Sequence, residues 1–314
     1  MAIGVAVRGP AGAYDAARGA ARRDFGAGAV AAGRAPAADA PEHPRHPRRA
    51  ARVAALAAWG LIGFWSAAAV FGPALTGDPL AVDTAARLQP PSAVHWLGTD
   101  QFGRDVLARV AAGAQYAFAA VGITTIVAGA AGAALGLLAG YAGGKVDALL
   151  GRVIDLWLAL PGLLFAIAIA GAYGPSFANA MLAIGFMRIP SFARVARASA
   201  TGVRAAPYVA AARAIGAGRQ RVLWRHILPN VLGPLLALAG ARASTALLAG
   251  SALGFVGLGA PVPEPEWGAL VAAGRPYLGE AWWVSALPCA AIVSLALGFQ
   301  LLGDVLADRF NRAV

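Results

Sequence analysis

The side chains that most often carry out bond chemistry are few in this chain and stand apart from one another. Its only lysine is Lys145, and neither a GxxxxGKS/T nucleotide-binding loop nor a GxSxG nucleophile motif occurs. The single cysteine, Cys289, excludes an intramolecular disulfide framework and every CxxC metal or redox site. Four histidines are scattered without an HExxH zinc motif, at His43, His46, His95 and His226. We therefore expect a protein that is not an enzyme and holds no metal or other cofactor.

The composition indicates a membrane protein. Hydrophobic residues make up 59% of the chain and charged residues 13%, with a mean hydropathy of +0.64. Soluble domains carry about 25% charged residues. A net charge of +11 could suggest a nucleic-acid partner, but the basic residues lie between apolar runs long enough to cross a bilayer. We therefore expect a lipid bilayer around the chain and no nucleic acid as a partner.

Six apolar runs approach the roughly 20 residues that a helix needs to cross a bilayer. They are residues 53–71, 117–139, 153–172, 177–192, 232–254 and 282–303. The pattern predicts an all-α, polytopic membrane protein with six transmembrane helices within residues 51–314. Residues 1–50 are rich in Ala, Gly, Pro and Arg without apolar periodicity, which predicts a disordered cytoplasmic tail.

The distribution of charge predicts how these helices are oriented. With the N-terminus inside, the cytoplasmic segments include residues 1–52, 140–152 and 193–231, and the last of these carries arginines and no acid. The outside segments, residues 72–116 and 255–281, contain more acids than bases. By the positive-inside rule, both termini lie in the cytoplasm.

Small residues and prolines predict how the helices pack. Gly132, Gly136 and Gly140 form two overlapping GxxxG units, which permit close approach of a neighbouring helix. A chain rich in Ala and Gly also produces this spacing by chance. Pro161 and Pro288 lie inside the third and sixth spans and predict kinks there.

Ionisable residues are nearly absent from the spans apart from Asp155 and Arg242. Asp155 follows Arg152 by three residues, so we expect these two side chains to form an ion pair. A proton- or sodium-coupled carrier generally needs buried carboxylates or histidines as relay sites. The energy that drives this protein is therefore expected to come from another subunit.

The long cytoplasmic connection, residues 193–231, is predicted to be structured. Residues Tyr208–Ile215 favour a helix that ends at Gly216, where glycine can adopt the left-handed conformation. A second helical piece, Arg219–Leu228, is expected to stop at Pro229. Two interpretations remain open at this point: a basic amphipathic helix on anionic lipid, or a short helix that docks into a partner protein.

Several motifs in this chain resemble one family of membrane transport subunits. The spacing of Ala210, Ala211 and Ala212, then Gly216, then Leu228-Pro229 is similar to the EAA---G---------I-LP loop of ABC-importer permeases, with Ala210 where the family often has Glu. Four stretches resemble the C-type permease of dipeptide, oligopeptide and nickel ABC importers: LGTDQFGRDVLARVAAGAQ (97–115), GYAGGKVDALLGRVIDLWLALPGLLFAIA (140–168), GFVGLGAPVPEPEWGALVAAGR (254–275) and LGFQLLGDVLADRFN (297–311).

The resemblance implies a type I ABC-importer permease fold over residues 51–314, in the cytoplasmic (inner) membrane. It implies half of a heterodimeric pore, with a second permease subunit, two cytoplasmic ATPase subunits and an extracytoplasmic substrate-binding protein. Substrates would be peptides or related small solutes, including nickel chelates, moved by alternating access. Residues 193–231 would couple to the ATPase through Ala210, Ala211, Ala212, Gly216, Leu228 and Pro229.

Arg242 and Thr245 share one face of the fifth span, where an unpaired charge is costly. One hypothesis is that Arg242 faces the translocation path and meets a substrate carboxylate. The alternative is a structural pair with the second permease or with internal carbonyls. Two other functions also stay open, an ion-coupled secondary carrier and a non-transporting membrane scaffold.

Overall fold

The computed structural model describes residues 48–159 and 161–311, and within these ranges the regular secondary structure is helical. The α-helices are α1 (Arg48–Thr76), α2 (Val106–Ala142), α3 (Gly144–Leu158), α4 (Gly162–Tyr173), α5 (Phe177–Arg204), α6 (Pro207–Ala214), α7 (Arg219–Val222), α8 (Leu228–Phe255), α9 (Trp267–Gly274) and α10 (Trp283–Asn311). A π-helical turn, Leu223–Ile227, joins α7 to α8. The predicted tail lies outside the described residues, apart from its last three.

Four helices in the described ranges are long and apolar enough to cross a membrane. They cover Arg52–Thr76, Val106–Ala142, Arg219–Phe255 and Trp283–Asp308. Each matches one of the predicted runs to within one residue or contains it, so the first, second, fifth and sixth spans are confirmed by length and composition. The orientation of the two termini stays a prediction.

The third predicted span, residues 153–172, is wrong as a single helix. α3 ends at Leu158, and α4 begins at Gly162 with Pro161 as its N-cap at φ −67° and ψ 111°. Proline donates no N–H and disfavours the helical conformation in the residue before it. Pro161 therefore separates two helices instead of kinking one, and α4 is an apolar helix of only 12 residues.

The fourth predicted span, residues 177–192, is only the first part of α5, which runs for 28 residues to Arg204. Its second half carries arginines that reach α3. Arg194 donates to Asp155 across the two helices at 2.8 Å. The predicted ion pair of Asp155 with Arg152 is therefore wrong, because packing of α3 on α5 brings another guanidinium to the carboxylate.

The most extensive helix–helix packing joins α2 to α5 through the predicted glycines. A Cβ atom on Gly132 would lie 2.5 Å from the Cβ of Phe192, and one on Gly136 2.3 Å from the carbonyl oxygen of Ala193. A Cβ atom on Gly140 would lie 2.6 Å from the carbonyl oxygen of Arg197. Larger residues would hold the helices apart, so the GxxxG spacing is confirmed as a packing motif.

Three buried tryptophans fix α1, α9 and α10 in the bundle. The indole N–H of Trp65 donates to the Ser294 hydroxyl at 3.0 Å, and that of Trp267 donates to the Val110 carbonyl at 2.9 Å. The indole of Trp283 hydrogen bonds a loop carbonyl that precedes α2. Each ring buries a large apolar surface and still satisfies its N–H.

Candidate functional site

The predicted coupling segment contains a helix, a glycine turn and a second helix. α6 ends in a Schellman motif, in which the Gly216 N–H donates to the Arg213 carbonyl and the Ala217 N–H donates to the Ala212 carbonyl, each at 3.0 Å. Gly216 has φ +88°, in the left-handed region that side chains rarely adopt. The predicted helix and its glycine ending are confirmed.

One side of α6 is anchored in the bundle. Val209 of α6 is fully buried, as are Val222, Ile227 and Val231 in the chain that follows. These side chains share one apolar cluster with residues of α5. A displacement of α6 must therefore move the C-terminal end of α5 and the N-terminal end of α8, because tightly packed interiors transmit strain.

The opposite side of α6 is exposed and largely apolar. Ala210 and Ala211 are exposed, while Ala212 is half-buried. Ile215 is 88% exposed and Tyr208 is 49% exposed. Small side chains on a short helix leave its backbone accessible, and the neighbouring isoleucine and tyrosine provide apolar area. Such a patch is typical of a surface that contacts another protein.

Leu228 and Pro229 begin α8, and the prediction that a helix stops at Pro229 is wrong. The helix is continuous from Arg219 to Phe255. The Leu228 N–H donates to the Leu223 carbonyl, one residue further back than in an α-helix. This wide turn directly precedes the proline and changes the hydrogen-bond register where a proline would otherwise break the helix.

Arginine side chains surround a cavity beside α6. It has a volume of about 470 Å³ and is lined by Arg204, Arg213 and Arg219. The Tyr141 hydroxyl donates to the Arg219 carbonyl at 2.8 Å, and Arg204 Nη1 donates to the Tyr141 carbonyl at 3.1 Å. These bonds attach the segment to the end of α2, and the three arginines give this surface a positive charge.

An ion pair holds α3 to α5 near the same end. Arg197 donates to both carboxylate oxygens of Asp147, at 2.5 and 2.9 Å. These hydrogen bonds lower the pKa of Asp147 below its ordinary value of 3.8, against a smaller opposing effect of burial. At neutral pH the carboxylate is therefore charged and the pair is intact.

Two arginines on neighbouring helices face the same cavity. Arg242 and Thr245 are both exposed on α8, on one face as their spacing predicts. Arg188 of α5 donates through Nη1 to the Arg242 carbonyl at 3.1 Å and to the Thr245 hydroxyl at 3.0 Å. Arg188 and Arg242 line a cavity of about 290 Å³ between α4, α5 and α8. Arg188 was not among the residues that sequence reasoning selected for this site.

Two acidic side chains are buried in the segments predicted to lie outside. Asp100 accepts from Arg104 Nε at 2.7 Å. Glu266 caps α9 by accepting from the N–H groups of Gly268 and Ala269, each at 2.9 Å. Burial raises the pKa of Glu266 above its ordinary value of 4.5, and the two backbone bonds oppose this rise. Both carboxylates hold loops against the bundle.

Within residues 48–159 and 161–311, no cluster of three or more His, Cys, Asp or Glu side chains could hold a metal ion.

Comparison with protein families gives one match, over residues 132–314. That family is described as "Binding-protein-dependent transport system inner membrane component". The match begins within α2 and includes the predicted coupling segment and the arginines that line the two cavities.

Individual relatives extend the similarity over most of the chain. A probable D,D-dipeptide transport system permease protein, DdpC, of Escherichia coli (strain K12) is 47% identical over 240 residues, which cover 76% of this chain and 80% of the relative. The dipeptide transport system permease protein DppC of Alkalihalophilus pseudofirmus is 41% identical over 248 residues, covering 77% and 80%. A di/tripeptide permease protein of Pseudomonas aeruginosa is 40% identical over 231 residues, covering 71% and 76%.

Proposed function

The chain belongs to the family of binding-protein-dependent transport system inner membrane components, and we propose from that premise that it is a permease subunit of an ATP-driven peptide importer. Three relatives at 40–47% identity carry names of dipeptide or di/tripeptide permeases. The family is non-catalytic, so ATP hydrolysis belongs to separate subunits. The protein acts in the inner membrane, in which its apolar helices lie.

The observation that carries the proposal is the exposed face of α6. Ala210, Ala211 and Ile215 form a small apolar surface outside the bundle, on a segment predicted to be cytoplasmic. This surface would seat in a groove of an ATPase subunit. Small alanine side chains permit close approach, and Gly216 fixes the end of the helix so that the surface keeps its shape.

Coupling then follows from the packing beneath α6. Val209 lies in the same cluster as Phe192 of α5 and Val231 of α8. When ATP binding draws two ATPase subunits together, α6 would be displaced and would tilt α5 and α8 with it. Tilting of these helices against a second permease would open the pathway alternately outward and inward.

The remaining partners complete this assembly. A second permease subunit would provide the other half of the pathway, of which Arg242 and Thr245 line one side. Two ATPase subunits would lie below, one on each permease. A substrate-binding protein would deliver peptide to the outer segments, which Asp100 and Glu266 hold in place.

The test is peptide uptake by the complete transporter in proteoliposomes. The subunits encoded together with this protein would be co-expressed, purified and reconstituted with ATP inside, and uptake of a labelled dipeptide would be measured with the binding protein outside. We expect uptake that requires ATP. The variant Ala211→Arg should lose ATP-dependent uptake, because a long charged side chain cannot enter a groove shaped for alanine.

Gly202→Arg is the matched control. Gly202 is exposed on α5 with no other heavy atom within 4 Å of its added Cβ, so the new side chain has room. It should transport at the unmutated rate. Uptake driven by a proton or sodium gradient without ATP would instead identify an ion-coupled carrier, and no uptake under any condition would favour a scaffold.

A further inference from the structure

The cavity between α4, α5 and α8 contains positive charge without a matching carboxylate in the described chain. Arg188 and Arg242 line it together with apolar side chains and Ser191. The sequence has no acidic residue between Asp155 and Glu264. The ion pairs of the described residues use other cations, among them Arg194 and Arg197.

The two arginines are held differently. Arg188 is fixed to α8 by hydrogen bonds to the Arg242 carbonyl and to Thr245 Oγ1. The guanidinium of Arg242 forms no hydrogen bond or ion pair within the described residues, and it shares the cavity with Arg188. A charge inside a membrane domain is costly and generally marks a functional site with a partner. An anion that enters this cavity would supply that partner.

A helix end adds to the positive potential. α4 begins at Gly162, which also lines the cavity, and no side chain hydrogen bonds to cap its first turn. The N-terminus of a helix carries a partial positive charge and unsatisfied N–H groups. In transporters, interrupted helices commonly direct such ends toward anionic substrate groups. The helix break at Pro161 thus places the N-terminus of α4 at the cavity, where it favours an anion.

We propose that Arg188 and Arg242 bind the terminal carboxylate of the peptide during translocation. This inference rests on the proposed function and deepens it. Guanidinium groups recognise carboxylates by paired hydrogen bonds. The rest of the cavity is apolar, so it would contact the remainder of the peptide without requiring particular hydrogen-bonding groups. Such a lining suits peptides whose side chains differ. At about 290 Å³, the cavity lies at the lower end of small-molecule sites, so the second permease would complete it.

The competing source of a carboxylate is an acidic residue of the second permease. A permanent ion pair of that kind would hold the two permeases together and would be indifferent to the substrate. The two sources predict different results for substrate chemistry and for assembly, so one set of variants separates them.

The experiment compares a dipeptide with its C-terminal amide in the reconstituted transporter. Arg242→Gln and Arg188→Gln should lower uptake of the free dipeptide at least about tenfold, the effect of losing one charge-assisted hydrogen bond. Uptake of the amide should be unchanged, and Arg242→Lys should recover part of the lost activity. Preferences of the binding protein cancel, because each variant is compared with the unmutated complex for the same substrate.

A second readout needs no binding protein. Thermal unfolding of the purified transporter is followed while the dipeptide or its amide is added. The free dipeptide should stabilise the unmutated complex, and Arg242→Gln should abolish that stabilisation. Arg152→Gln, an exposed arginine of α3 away from the cavity and from the segments assigned to partners, is the control and should leave both readouts unchanged.

Four outcomes would overturn the inference. Equal losses for the dipeptide and the amide, or loss of the second permease on purification of Arg242→Gln, would show a structural ion pair. Unchanged uptake of the free dipeptide in both glutamine variants would remove the site. Absence of ATP-dependent uptake of either substrate by the unmutated complex would instead overturn the proposed function and this inference together.

Discussion

Gly136→Ala should destabilise the bundle, because the new methyl group has no room between α2 and α5. Its Cβ would lie 2.3 Å from the Ala193 carbonyl oxygen and 2.5 Å from the Ala196 Cβ, whereas ordinary contact begins at 3.4 Å. The two helices must therefore separate by about 1 Å, since backbone and Cβ atoms cannot rotate away. A gap of this size forfeits a quarter to a half of each pairwise attraction.

Overpacking of this kind costs about 1–3 kcal/mol in free energy of unfolding. For a domain of this size that corresponds to a Tm lower by about 2–12 °C. Thermal unfolding of the purified transporter in detergent measures it. Gly129→Ala is the matched control on the same helix, because its Cβ would lie 3.8 Å from the nearest Phe192 atom. Equal Tm values for the two variants would refute the reasoning about close packing.

The remaining predictions concern the predicted coupling segment and two carboxylates whose contribution to stability depends on pH. Gly216→Ala forces a side chain into φ +88° and should lower peptide-stimulated ATPase activity. Gly218→Ala, at φ −66°, should leave that activity unchanged. Equal activities of the two variants would contradict the role of the turn. Asp147 has a pKa below its ordinary 3.8, so its pairing with Arg197 stabilises the fold above that pH and is lost as the pH falls through the lowered pKa. Asp147→Asn should therefore lower Tm at pH 7 and reduce acid sensitivity below about pH 4; an unchanged Tm against pH curve would contradict this. Glu266 has a raised pKa, so its contribution is greatest below pH 4.5 and falls as the pH rises through the raised pKa. Glu266→Gln should flatten that part of the curve, and a curve of unchanged slope would contradict the burial argument.

Local patterns were enough to predict much of this fold. Apolar runs located four spanning helices, and the helix before Gly216 was predicted within one residue at each end. The GxxxG spacing also identified the α2 face that packs on α5. These features depend on residue periodicity and backbone conformation, which neighbouring residues determine.

The errors concern two prolines, whose effect depends on how the backbone around them rearranges, and one ion pair between distant residues. Pro161 was expected to kink a helix, but it separates α3 from α4. Pro229 was expected to end a helix, but a π-helical turn accommodates it. Asp155 pairs with Arg194, which lies 39 residues away in the sequence.

The interior site was only half predictable. Arg242 was selected because a charge stands in the middle of an apolar run. Arg188 gave a similar signal, yet it lies near the end of a weak span, and only the packing of α5 on α8 shows that it meets Thr245. A search for every arginine inside a predicted span would have found both.

Photo-crosslinking shows whether the exposed face of α6 contacts an ATPase subunit. A photoreactive amino acid would replace Ala211 in the assembled transporter, and Val82, exposed in a segment predicted to lie outside, would serve as the control position. We expect an ATP-sensitive crosslink from position 211 to an ATPase subunit and none from position 82. Crosslinks from position 211 to lipid alone would contradict it, because α6 would then lie on the membrane surface.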